Sequence, residues 1–149
     1  MRHDELKIGE LAVQTGYTVE AIRYYEREGL LPAPARSGGN YRLYRGAHLE
    51  RLQFIRHCRS LDMALDEIRS LLTFRDQPDR SCGDVNALLD KHIIDVADRI
   101  AQLKQLQQQL LGLRGLCTEV QTAKDCAILQ CLGTHQAATC GMKSKKSCN

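Results

Sequence analysis

Long apolar runs are missing from this 149-residue sequence. No stretch approaches the roughly 20 apolar residues that a membrane-spanning helix needs, and the first residues, MRHDELKIGE, lack the apolar centre of an export signal. We therefore predict a cytoplasmic protein that does not associate with membranes. In that reducing compartment, the seven cysteines are expected to be thiols, some of them metal ligands, rather than a disulfide framework.

The motifs of common enzyme classes are missing too. The sequence has no C-x-x-C pair for dithiol redox chemistry, no G-x-G-x-x-G fingerprint and no phosphate-cradling loop. It also has no convincing nucleophile paired with a base. These absences indicate that the protein is not an enzyme.

Acidic residues are scarce in one part of the chain. From Arg36 to Arg59 six arginines face a single acidic residue, Glu50, although the net charge of the whole chain is only +3. A local excess of positive charge suits a polyanionic partner, so this stretch is expected to meet phosphate groups of nucleic acid.

The first 45 residues have the pattern of a winged helix-turn-helix. A short helix ends at Gly16, and a second helix begins after the capping residue Thr18 and ends at a glycine. The segment LLPAPARSGGNYRLYR excludes helix, contains a hairpin-type turn and alternates at strand period. In such a fold the second helix enters the major groove, where Arg23 and Tyr24 would contact base edges or phosphates. Two packed helices with an ordinary solvated face are the alternative.

Two more helices follow, and then a long apolar stripe. From residue 85 to residue 117, apolar residues recur at steps of three and four, which predicts a helix of about thirty residues and roughly 45 Å. A stripe so long and narrow cannot be buried against the small N-terminal unit. We therefore predict a homodimer formed through this helix.

These segments resemble the MerR family of transcription regulators. The resemblance is carried by IGELAVQTGYTVEAIRYYEREGLLPAPARSGGNYRLY and HLERLQFIRHCRSLDMALDEIRSLL, and it extends to about residue 132. It implies a mainly α fold: a winged helix-turn-helix DNA-binding domain, a long antiparallel dimerisation helix, and a short C-terminal metal-binding loop and helix. It also implies a dimer on double-stranded promoter DNA that distorts the duplex for RNA polymerase when an effector binds. The DNA-binding residues implied at matching positions are Thr18, Arg23, Tyr24, Arg42 and Tyr44, with Arg36 and Arg59 as further candidates.

The cysteines around the long helix suggest the effector. Thiolates bind soft or borderline metal ions and must lose a proton to do so. Cys117 ends the predicted helix, Cys126 closes a loop back towards it, and Cys82 lies near the helix start. In the antiparallel dimer that the resemblance implies, Cys82 of one protomer would join Cys117 and Cys126 of the other. Buried structural cysteines, or a helix-capping loop without a ligand, are the alternatives.

Three thiolates favour a divalent ion over monovalent copper or silver, whose sensors in the family carry serine at the position of Cys82. The loop CTEVQTAKDC also lacks the adjacent cysteines and the histidine typical of zinc sensors. FIRHCRSLDM, SCGDVNALLDKHI and CAILQ resemble the cadmium- and lead-responsive branch, so Cd²⁺ or Pb²⁺ is the predicted effector. Hg²⁺ is the alternative, and a metal-buffering thiol protein is a more distant one.

The other cysteines receive different predictions. Cys58 continues a helical apolar face and is expected to be a core thiol. Cys131, Cys140 and Cys148 are either accessory metal ligands or simply exposed thiols, and His92 is expected at the dimer interface. The predicted organisation is a DNA-binding domain at 1–76, a linker at 77–84, the dimerisation helix at 85–117, the metal-binding loop and short helix at 118–132, and a disordered tail at 133–149.

Overall fold

The computed structural model describes residues 5–120 and 122–134. The chain divides into two compact units, residues 1–89 and residues 90–149. The mainly α fold with a small wing, predicted from the sequence, is confirmed. The elements are α1 (Ile8–Thr15), α2 (Val19–Arg27), β1 (Ala35–Arg36), β2 (Arg42–Leu43), α3 (Gly46–Ser60), α4 (Leu65–Asp76), α5 (Gly83–Arg114), a 3₁₀ turn (Ala123–Asp125) and α6 (Ala127–Gly133).

A tight turn joins α1 to α2. Gly16 adopts a left-handed conformation with φ +70°, and its N–H donates to the Ala12 carbonyl at 2.8 Å, which ends α1. The hydroxyl oxygen of Thr18 accepts the N–H of Ala21 at 3.1 Å and thereby caps the start of α2. The predicted helix-turn-helix boundaries are thus set by one glycine and one threonine.

The wing is a two-stranded antiparallel hairpin. Ala35 is paired with Leu43, and Arg36 with Arg42. The turn between the strands contains Asn40 at φ +64°, a left-handed conformation that asparagine tolerates better than most residues.

The base of the wing is tied to the segment before α1. The N–H of Leu6 donates to the Tyr44 carbonyl at 2.8 Å, and the N–H of Tyr44 donates to the Leu6 carbonyl at 2.9 Å. These two backbone bonds hold the wing beside the first helix.

One apolar core packs the four helices α1, α2, α3 and α4 together. Cys58 is 5% exposed within it, which confirms the predicted core thiol, and burial raises the pKa of this thiol. Burying each large aliphatic side chain stabilises the folded state by roughly 1.5–3 kcal/mol. The side chains with almost no exposed surface are Tyr44, Leu11, Ile22, Leu30, Leu52, Ile55, Ile68 and Leu72.

The limits of α5 differ from the predicted range of 85–117. The helix begins at Gly83, because the Cys82 carbonyl accepts the N–H of Asn86 at 3.0 Å. It ends at Arg114: the N–H of Gly115 still reaches the Leu111 carbonyl, but the next N–H, that of Leu116, bonds only three residues back. This tightening of the last turn leaves Cys117 outside the helix, at the start of the loop.

No residue of α5 is buried within a single chain. Its apolar side chains are exposed by large fractions, among them Ile93 at 63%, Ile100 at 49% and Leu103 at 58%. A 32-residue helix of this kind is about 48 Å long, and its apolar stripe is left largely exposed in a single chain.

The loop after α5 contains a 3₁₀ turn that was not predicted. The Thr122 hydroxyl donates to the Asp125 carboxylate at 2.7 Å, and the N–H of Asp125 donates to the Thr122 carbonyl at 3.0 Å. The short helix predicted after Cys126 is present as α6. The predicted disordered tail lies outside the described residues from 135 onward. Within the part of the chain that is described, no helix has the length and apolar character needed to cross a bilayer.

Candidate nucleic-acid interface and thiol site

The start of α2 presents polar side chains to solvent. Arg23 is exposed, and Tyr24 is 38% exposed with its ring centroid 5.7 Å from that of the buried Tyr25. Thr18 is also exposed, and its hydroxyl oxygen is engaged in capping α2. Its hydroxyl hydrogen is the group it can offer to a phosphate oxygen. These three predicted residues therefore lie together at one end of the recognition helix.

The two predicted arginines of the wing are exposed and held by partners in the chain. Nη1 of Arg36 donates to the side-chain oxygen of Asn40 at 2.7 Å. Nε of Arg42 lies 3.5 Å from a carboxylate oxygen of Glu26 on α2. The second contact links the wing to the recognition helix and orients Arg42 at their junction.

Tyr44 does not belong to the DNA-binding surface, so that prediction is corrected. Its side chain is fully buried, and its hydroxyl donates to the carboxylate of Glu26. Burial, followed by the bond to Glu26, raises the pKa of Tyr44. The family resemblance implied that Tyr44 contacts DNA, but the backbone pairing with Leu6 and the bond to Glu26 hold its side chain in the core.

Arg59 lies in the last turn of α3. Its Nη1 donates to the Met63 carbonyl at 2.8 Å, just beyond the end of α3. The guanidinium is therefore used first to close the turn between α3 and α4, although the residue is exposed. Nothing in its geometry prevents a second contact to phosphate, because guanidinium carries five donors.

A cleft joins the recognition helix, the wing and the start of α1. It has a volume of about 520 Å³ and is lined by three basic residues and one acidic residue among others: Lys7, Ile8, Gly9, Glu10, Arg23, Asn40, Tyr41 and Arg42. Tyr41 is 69% exposed. Lys7 and Tyr41 were not predicted from the sequence, because neither lies on the recognition helix and neither is one of the arginines between residues 36 and 59. The signal that locates Lys7 is the Leu6 to Tyr44 pairing, which is visible only in the fold.

Two thiols meet in the loop after α5. The backbone N–H of Leu129 lowers the pKa of Cys126 most, and the N–H of Ile128 and the thiol of Cys117 add to this, while burial opposes it. The Cys117 thiol donates to the Glu119 carbonyl at 3.2 Å. Both cysteines are half-buried and free. The Cys117 thiol therefore lies close enough to Cys126 to help lower its pKa.

Cys82 is exposed and lies in the first unit. It lines an apolar cavity of about 410 Å³ together with the buried Cys58 and apolar side chains of α3, α4 and the start of α5. Within residues 5–120 and 122–134, no three histidine, cysteine or acidic side chains of one chain converge on a metal-sized site. The described residues of the same chain therefore do not bring a third thiolate to Cys117 and Cys126.

Of the three candidate accessory cysteines, one lies within the described residues. Cys131 is 8% exposed on α6, and its predicted role as an accessory ligand stays a prediction. Cys140 and Cys148 lie outside the described residues. His92 is half-buried on α5, and its predicted interface role stays a prediction.

Fold and site together define a winged helix-turn-helix DNA-binding protein with a thiol-bearing loop beyond a long helix. Two family models match the chain, "MerR HTH family regulatory protein" over residues 6–74 and "MerR, DNA binding" over residues 49–113. A Haemophilus influenzae relative, the HTH-type transcriptional regulator ZntR homolog, is 50% identical over 109 residues, which cover 73% of this chain and 81% of the relative.

Solved structures agree. The crystal structure of the transcription regulator PbrR691 from Ralstonia metallidurans CH34 in complex with lead(II) matches with a TM-score of 0.76 and 50% identity, over 85% of this chain and 98% of that one. The regulator MerR from Bacillus megaterium MB1, in complex with mercury(II), matches with a TM-score of 0.66 and 33% identity over 85% and 98%. The chain belongs to the MerR family of helix-turn-helix transcription regulators.

Proposed function

We propose that this protein activates transcription of metal-resistance genes when a soft divalent cation, Cd²⁺ or Pb²⁺, binds between its two protomers. The ligands are Cys82 of one protomer and Cys117 and Cys126 of the other. Metal binding at this site changes how the two DNA-binding domains of the dimer hold the promoter. The duplex is then bent and untwisted for RNA polymerase.

The observation that carries this proposal is the pairing of Cys117 and Cys126. The two thiols interact at the end of the dimerisation helix, and N–H groups of α6 favour the ionised form of Cys126. Thiolates prefer soft cations, and no histidine lies in the loop between the two cysteines to favour a harder one. The donor set therefore fits a soft ion.

Two facts support a site shared by two chains. A single chain brings together no set of three suitable ligands among its described residues. In addition, α5 exposes its apolar stripe along its whole length and begins directly after Cys82. Antiparallel pairing of two such helices brings the start of one beside the end of the other, where Cys117 lies. The third thiolate is then supplied by the partner.

The lead complex of a relative that is 50% identical supports a cadmium- or lead-responsive site in this chain. Mercury is the second candidate. It is favoured by the mercury complex of a relative that is 33% identical, and by 36% identity to a mercuric resistance operon regulatory protein of Bacillus cereus.

DNA contacts are proposed for six of the predicted residues, and Tyr44 is removed because its side chain is buried. Lys7 and Tyr41 join them, since they line the same cleft as Arg23 and Arg42. The proposed contacts are Thr18, Arg23, Tyr24, Arg36, Arg42 and Arg59, with Lys7 and Tyr41.

The test is a promoter-reporter assay with cadmium, lead, mercury, zinc and copper salts, paired with a gel shift on the chain's own upstream DNA. We expect promoter binding with and without metal, and induction by cadmium or lead above that by the other ions. Strongest induction by mercury would transfer the assignment to that ion. Absence of promoter binding in both states would leave a metal-buffering protein as the better account.

Arg23 gives a separate test of the DNA surface. Arg23→Ala is expected to weaken promoter binding about a hundredfold, because the proposed dimer loses two charge-assisted contacts, each worth about 1–3 kcal/mol. The slope of log K against log salt should also fall by about two if each of the two Arg23 side chains in the dimer neutralises a phosphate. Lys91→Ala removes the same charge from the exposed surface of α5 and should change neither quantity. Unchanged affinity across the salt series would exclude Arg23 from the interface.

A further inference from the structure

Arg56 on α3 reaches across to the turn between α1 and α2. Its Nη1 donates a hydrogen bond to the backbone carbonyl of Thr15, the last residue of α1. Carbonyl groups at a helix C-terminus have no partner within the helix and carry partial negative charge, so a guanidinium is well suited to this position. Arg56 therefore closes α1 from another helix.

The turn is built to admit this side chain. Gly16 has φ +70°, and a Cβ added there would collide with Nη1 of Arg56. Glycine thus serves two purposes at this position: it adopts the left-handed conformation, and it leaves the space that the guanidinium occupies. The arginine and the glycine form one interlocking pair.

The position of the α1–α2 turn determines the position of the recognition helix α2. Thr15 is buried, and its hydroxyl oxygen lies 3.5 Å from the donating N–H of Tyr17. The ring of Tyr17 meets the ring of Tyr25 edge-on, with centroids 5.3 Å apart, and Tyr25 is buried on α2. One residue after Tyr17, Thr18 caps α2. A shift of the turn is therefore passed to the start of α2, where Arg23 and Tyr24 lie.

We infer that Arg56 is a positioning residue for DNA binding: it locks the α1–α2 turn through Thr15 and Gly16, and thereby sets the angle at which α2 meets the major groove. This role needs no contact between Arg56 and DNA. It rests on the DNA surface proposed for α2.

The experiment measures promoter affinity and its salt dependence for the full dimer, with the active fraction determined by titration at saturating DNA. Arg56→Ala should lower affinity about tenfold or more, because both protomers of the dimer lose the contact that fixes the α1–α2 turn, with the salt slope unchanged. Arg56→Lys retains a charged donor and should recover most of the affinity. A fall of about two in the slope, one for each copy of Arg56 in the dimer, would identify a direct phosphate contact instead and overturn the inference.

Two further variants separate positioning from general stability. Arg51→Ala removes an arginine from the same helix, where Nε donates to the Leu30 carbonyl at 2.6 Å, away from the turn. It should lower the melting temperature without lowering affinity per active dimer. An equal loss of affinity in Arg51→Ala would show that Arg56 acts only through stability.

Gly16→Ala completes a double-mutant cycle. Its added methyl displaces Arg56, so the losses of affinity from Gly16→Ala and Arg56→Ala should be clearly less than additive when combined. Additive losses would overturn the interlock. If Arg23→Ala leaves affinity unchanged, the proposed DNA surface on α2 fails, whatever the cycle between Arg56 and Gly16 shows.

Discussion

Cys117→Ser is expected to abolish metal-induced transcription while leaving promoter binding intact, and the same result is expected for Cys82→Ser and Cys126→Ser. Serine keeps the size of the side chain but replaces a soft thiolate by a hydroxyl that does not ionise near neutral pH. Reporter transcription under cadmium and lead, with a gel shift on the same proteins, measures both properties.

The matched control is Cys58→Ala, which removes another thiol from the same chain. Cys58 is buried in the core, so its loss should cost stability but leave metal uptake and induction in place. Retained induction in all three serine variants would show that the ligands lie elsewhere in the sequence.

The shared site can be tested by mixing two inactive chains. Dimers formed from one Cys82→Ser chain and one Cys117→Ser chain contain one complete set of ligands if each site takes Cys82 from one protomer and the loop cysteines from the other. They contain none if each site lies within one chain. We expect the mixed dimer to bind about one metal ion and each parent dimer to bind none tightly. Failure of the mixture to recover binding would contradict the shared site.

Ile100→Glu is expected to convert the dimer to a monomer at micromolar concentration. Ile100 lies on the apolar stripe of α5 and is 49% exposed in one chain, so pairing would bury it. Burying two unpaired carboxylates at a helix interface costs several kcal/mol, which weakens dimerisation by a hundredfold or more, on the order of 3 kcal/mol. Sedimentation velocity measures the association state directly.

Gln105→Glu is the control for this variant. It adds the same charge on the opposite side of α5, where the helical repeat places it away from the stripe. The control should remain dimeric and bind promoter DNA normally. A dimeric Ile100→Glu protein would show that the stripe of α5 is not the interface.

Much of this fold could be predicted because its signals are local. Gly16 and Thr18 mark the helix-turn-helix by their own backbone and capping chemistry, and both behave as expected. The apolar repeat after residue 85 likewise indicates a long helix without knowledge of its partner. Such features depend on residues within a few positions of each other.

The errors arose where distant segments decide the outcome. Tyr44 looked like an exposed wing residue, but its backbone pairs with Leu6 and its hydroxyl with Glu26, so its side chain enters the core. The end of α5 was placed at Cys117, but the tightened turn after Arg114 ends the helix earlier. Lys7 was missed because only the folded head brings it to the cleft with Arg23 and Arg42.

The bare surface of α5 also has a genetic consequence. In the proposed dimer the α5 stripes pair independently of the DNA-binding domains, so a protomer with a damaged recognition helix is expected to pair with an intact protomer. Such a mixed dimer would contact the operator through one DNA-binding domain only. Its intact protomer would then no longer contribute to regulation. Alleles damaged in α2 are therefore expected to be dominant over the wild type in a cell that carries both, whereas alleles truncated before α5 are recessive.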